Sequence, residues 1–127
     1  MFKNLIKKII IHTHPNYYLK IRSQRSGYFE REVEFLDTFC DKSKIALDIG
    51  ASLGTYSYLM LQHSKKVIAI EPLKEKCQKL DYLFRNLENF EVLNIAVSDK
   101  IDEKQIRVPL GDTGRSTIEN SNNLTRC

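Results

Sequence analysis

Ile45-Ala46-Leu47-Asp48-Ile49-Gly50-Ala51-Ser52-Leu53-Gly54 is the stretch on which the fold turns. Its first five residues are apolar on both faces apart from Asp48, the pattern of a buried parallel strand. Gly50 to Gly54 is a tight turn, and a short helix is expected to run from it to about His63. Lys66-Val67-Ile68-Ala69-Ile70 repeats the buried-strand pattern and ends at Glu71-Pro72. Leu73, Cys77, Leu80, Phe84 and Leu87 then recur at helical spacing, so a helix is expected over residues 73–87. Phe90 to Val97 reads as a third strand. Strand, helix, strand, helix, strand in this order implies an α/β fold with a mostly parallel sheet and right-handed crossovers.

The two glycines let the chain bend sharply at the C-terminal end of the first strand, and they remove side chains that would block a ligand. Open α/β sheets bind ligands at that end. A G-x-x-x-G turn alone says little, because tight strand-to-helix turns need glycine anyway. Glu71 adds to it. It stands 21 residues after Gly50, where a carboxylate can accept hydrogen bonds from both ribose hydroxyls of an adenosine. A nicotinamide dinucleotide fingerprint would place a second glycine where this chain has Ser52, which argues against a dehydrogenase.

ALDIGASLGTYSYLM, KVIAIEPLKEKCQKLDYLFRNL and VLNIAVSD together resemble the FkbM-type methyltransferases, over about residues 45–120. The matching positions are Asp48, Gly50 and Ala51; Glu71 and Pro72; and Ala96, Ser98 and Asp99. Ser52 departs from the family, which usually has asparagine there. The resemblance implies a Rossmann-like three-layer sandwich and S-adenosyl-L-methionine as cofactor. It implies that the turn from Gly50 through Ala51 and Ser52 to Gly54 holds the methionine part. By the same resemblance Asp48 orients that turn or bonds the amino group, and Glu71 binds the ribose. Ile70 and Pro72 line the adenine slot, and Ala96, Ser98 and Asp99 close its edge. Tyr56 either borders the cofactor or packs in the core. The implied reaction is O-methylation of a hydroxyl on a sugar or natural product. The expected partner is therefore a small-molecule or glycan acceptor, with no nucleic acid. No catalytic base is identified. A non-catalytic module that binds S-adenosylmethionine or a partner chain is the alternative.

The family's domain continues with further strands, and none is recognisable after Asn120. Lys104 to Leu110, a turn at Gly111–Gly114 and Ser116 to Ile118 read as a hairpin. The expectation is a domain truncated after the third core strand and this hairpin. Ile45, Leu47 and Ile49 would then form an exposed strand edge open to another chain. Such a chain is expected to be poorly stable and inactive alone.

Residues 1–44 form an expected N-terminal helical segment ahead of the domain at 45–127. Phe2, Leu5, Ile6, Ile9 and Ile10 share one helical face, with Lys3, Lys7 and Lys8 elsewhere. Docking of that face on the domain is the expectation, and contact with an anionic membrane surface through residues 1–11 is the alternative. The segment after Pro15 reads as irregular, followed by a helix with Phe29, Val33, Leu36 and Cys40 on one face. The whole chain has 127 residues and a net charge of +4, which fits one soluble domain with an anionic ligand and gives little support to nucleic-acid binding. Its three cysteines are far apart, which suits reduced thiols in the cytoplasm and no metal site.

Overall fold

The structure is a computed structural model that describes residues 2–25, 31–101, 103, 105–109 and 116. Three strands, β1 (Ile45–Ile49), β2 (Lys66–Ile70) and β3 (Phe90–Leu93), form one parallel sheet in the order β1-β2-β3. Helix α4 (Thr55–Leu61) connects the first pair and α5 (Lys74–Phe84) the second. The expected α/β arrangement with parallel strands and helical crossovers is present.

Alternation along the strands sets the layers. Val67 and Ala69 face the helices and are fully buried. They join Ala51, Leu61, Leu80, Leu83 and Phe84 in a single core, and Phe84 stacks on Phe90 at 3.9 Å between ring centroids. The other face of β1 is open: Ile45, Leu47 and Ile49 are each more than half exposed. β1 is also the end strand of the described sheet.

The N-terminal segment departs from expectation twice. First, the stretch after Pro15 is not irregular. It is helix α2 (Pro15–Arg25), starting at the proline itself. Proline suits a first helical position, where its missing N–H and fixed φ cost nothing. α2 lacks an apolar stripe, so periodicity does not reveal it; Leu19 enters the core and Tyr18 packs against it. Second, helix α1 (Phe2–Thr13) does not dock through the expected face. Leu5, Ile6 and Ile9 are 56%, 42% and 52% exposed, and Ile11 packs on the core instead. Polar ties set this rotation. Arg85 donates to the backbone oxygen of His12 at 2.7 Å, and His12 meets the Tyr82 hydroxyl at 2.5 Å.

Downstream, the stretch Arg31–Phe39 is a tight 3-10 turn running into the short helix α3 (Leu36–Phe39). Of the expected apolar face, Leu36 is buried and Val33 and Cys40 are half-buried, while Phe29 lies outside the described residues. The chain divides into two compact units, Met1–Ala96 and Val97–Cys127. Described residues of the second unit form no helix, and most of the expected hairpin falls outside them. No described helix is long and apolar enough to cross a membrane.

Candidate functional site

Ile49 pairs with Ile70, so β1 and β2 end level and their outgoing turns start together. The amides of Gly50 and Ala51 both donate to the Ile70 carbonyl, at 2.8 and 3.1 Å, folding the first turn over the end of β2. Gly50 and Gly54 have φ of +81° and +75°. Their roles differ. A Cβ on Gly54 would meet Leu80 Cδ2 at 2.6 Å and Phe84 Cε2 at 2.7 Å, so Gly54 lets the turn press against α5. A Cβ on Gly50 would meet nothing within 4 Å, which leaves its backbone facing open space. Ser52 between them has φ of 49°, a left-handed conformation that asparagine tolerates better than most residues.

Glu71 joins the two turns. It is 3% exposed; its Oε2 accepts from the Ser52 amide at 2.9 Å and its Oε1 from the Leu73 amide at 3.0 Å. The carboxylate is therefore fixed between the turn after β1 and the turn after β2. Lys76, buried in the first turn of α5, donates from Nζ to Ser52 Oγ at 3.1 Å. The Asn94 amide donates to the carbonyls of Glu71 and Pro72, each at 2.9 Å. β3 stops at Leu93 rather than continuing to Val97 because its partner β2 ends at the paired Ile70 and Pro72 has no N–H to extend the ladder.

Asp48 lies on the helix-facing side of β1, 8% exposed, and accepts from Ser57 Oγ at 2.5 Å. It thus ties β1 to α4. Burial raises its pKa, the Ser57 hydrogen bond opposes the shift, and the Glu71 charge adds to it. A raised pKa in the folded state means that the folded chain holds this proton more tightly than the unfolded one. Its contribution to stability is present below the ordinary aspartate pKa of about 3.9 and is lost as pH rises through the higher folded value. Asp48→Asn keeps an acceptor for Ser57 and is expected to remove that fall. Thermal melts of both proteins from pH 3 upward test this, and parallel curves would contradict it.

Cys77 sits against the same turn, with Sγ 2.8 Å from the Glu71 carbonyl. Burial and the Glu71 charge push its thiol pKa up. Alkylation at neutral pH, followed by peptide mapping, is expected to modify half-buried Cys40 well before Cys77.

Of the residues expected at the site, Gly50, Ala51, Ser52, Gly54, Glu71 and Pro72 come together at the ends of β1 and β2. Asp48 stands just before them and reaches into the helix layer. Tyr56 is half-buried in the first turn of α4. Ala96 is exposed at the end of the first unit, and Ser98 and Asp99 belong to the second, where Ser98 donates to Asp99 at 3.2 Å. Ser57, Lys76 and Asn94 were not legible as site residues. Each owes its place to packing between elements, and none forms part of a local motif. Among the described residues, no three His, Cys, Asp or Glu side chains gather as metal ligands would.

The chain matches no known protein family and no curated protein. It is similar in part to solved methyltransferase structures. An rRNA methylase from Streptococcus thermophilus shares 24% identity at a TM-score of 0.47, over 51% of this chain and 40% of that one. The 23S rRNA methyltransferase ErmE shares 16% at 0.46, over 52% and 28%. A Plasmodium falciparum protein described as a protein-L-isoaspartate O-methyltransferase, solved with S-adenosyl-L-homocysteine, shares 16% at 0.43, over 73% and 60%. The chain thus spans less than half the length of the two rRNA methylases. One expectation is corrected here. With rRNA methylases among the similar structures, neither the exclusion of nucleic acid nor the small-molecule or glycan acceptor stands. The net charge was an unreliable basis for that exclusion, because +4 for the whole chain hides how the charge is distributed.

Proposed function

We propose that residues 45–127 form the adenosyl-binding part of an S-adenosylmethionine-dependent methyltransferase domain of the FkbM type, preceded by a helical segment at 1–44. The reading rests above all on Glu71. Two backbone amides hold its carboxylate beside the open backbone of Gly50. Each oxygen keeps a further lone pair, which suits the two hydroxyl donors of a ribose. A carboxylate there also disfavours a phosphorylated ribose.

The space over Gly50 admits the methionine part without a side-chain clash. Ile70 and Pro72, both half-buried, flank the position expected for adenine. By the family resemblance Ala96 closes its edge. When bound, S-adenosylmethionine supplies an electrophilic methyl group. The chain's own residues contribute binding and orientation, which is the main lever for this kind of displacement. Calorimetric titration with S-adenosylmethionine, S-adenosylhomocysteine and NAD tests the reading. The two adenosyl sulfur ligands are expected to bind with one-to-one stoichiometry and NAD not at all. Binding of NAD in their place would overturn the proposal. Donor binding without turnover would make the chain a non-catalytic module.

A further inference from the structure

The first 29 residues contain Lys3, Lys7, Lys8, Lys20, Arg22 and Arg25 and no acidic residue; Glu30 is the first. The chain's net positive charge therefore lies on α1 and α2, because residues 30–127 carry 14 Lys and Arg against 16 Asp and Glu. These helices, with α5 and the turn at Ser52 and Leu53, enclose a pocket of about 840 Å³. That is within the roughly 300–1,000 Å³ of ligand sites. Lys7, Arg22 and Lys79 line it against one carboxylate, Glu75. None of the three cations has an ion-pair partner among the described residues. The rest of the wall is mainly apolar and aromatic, with Ile11, Tyr18, Leu53 and Tyr82 in it beside the polar Ser52 and Gln78. The Lys7 ammonium lies 5.7 Å from the centre of the Tyr18 ring. Arg85 stacks on Tyr82 at 4.2 Å and bonds the end of α1, which fixes that wall.

Cations around an aromatic and apolar cleft match a ligand that pairs a flat ring with phosphate charge. We infer that this pocket seats one nucleotide of a single-stranded nucleic acid. The base lies beside Tyr18 and Leu53, and the neighbouring phosphates lie on Lys7, Arg22 and Lys79. Stacking and backbone neutralisation are the two parts of such recognition. A membrane fits this surface less well. The cations line a concavity, and the exposed apolar residues Leu5, Ile6 and Ile9 do not line it. Ser52 belongs both to the pocket wall and to the Glu71 site, so the two are contiguous. That the seated strand is the methyl acceptor rests on the function proposed above; its binding does not.

Fluorescence anisotropy of a fluorescein-labelled oligouridylate, with no methyl donor present, tests the inference on the full chain. Binding is expected to weaken with salt, with a slope of about 0.7 in log Kd per log salt for each phosphate contact. K7E/R22E/K79E is expected to weaken binding at least tenfold and to flatten that slope. Its melting temperature serves as the control for folding. Should that variant not fold, K79E alone is expected to lower the slope by about 0.7. Three results would overturn the inference: unchanged affinity in a folded variant, uridine monophosphate bound as tightly as the oligomer, or phosphatidylserine vesicles bound in place of it. Oligomer binding by a chain that ignores S-adenosylhomocysteine would sink the methyl-transfer reading and leave this one standing.

Discussion

Gly54→Ala is expected to destabilise the fold by about 2–5 kcal/mol, the sum of backbone strain and forced overpacking. The strain comes from a φ of +75°, which costs a residue with a Cβ about 1–2 kcal/mol. The overpacking comes from Leu80 Cδ2 and Phe84 Cε2, both closer to the new methyl group than real contacts allow. Neither side chain can swing away. Leu80 is fully buried and Phe84 is 2% exposed, held in its stack with Phe90. Gly50→Ala is the matched control: its φ is similar, at +81°, but its Cβ would enter open space. It should lose only the strain, about 1–2 kcal/mol. Urea denaturation of both variants measures the difference. Equal losses would show that the turn does not press on α5 as described.

Glu71→Ala is the second large effect. It removes a charged acceptor from the buried amides of Ser52 and Leu73, at about 1.5–3 kcal/mol for each bond. The expected loss of stability is about 3–6 kcal/mol, enough to unfold a marginal domain. An alanine variant that fails to bind nucleosides would therefore prove little about the ribose. Glu71→Gln separates the two roles. It keeps one carbonyl acceptor and much of the turn, and gives up the charge. S-adenosylhomocysteine affinity is expected to fall at least tenfold while the variant stays folded, since one charge-assisted bond is worth at least about 1.5 kcal/mol. Wild-type affinity in a folded Glu71→Gln would remove Glu71 from the ligand contacts.

The sequence was most legible where structure is local. β1, the glycine turn and β2 follow from apolar runs and two glycines, and the spacing from Gly50 to Glu71 follows from one crossover. It was less legible where tertiary contacts decide. α2 has no apolar stripe, because the adjacent Tyr18 and Leu19 anchor it rather than a helical face. α1 has a clear apolar face that the polar ties at His12 rotate away from the core. The end of β3 depends on where its partner β2 ends, at Ile70. At the site, the sequence put Glu71 directly after β2 but did not reveal that its oxygens hold two amides. That pairing requires the turns after two different strands to be side by side, which no local pattern records.

The strand order β1-β2-β3 has one more consequence, for how the chain acquires its shape. Ile45 pairs with Lys66 and Val67 with Phe90, so each ladder closes a loop of only one helix and two turns. Among the described residues, no strand waits for a distant partner. Each can be added as the ribosome delivers it, and the short loops keep the entropy of closure small.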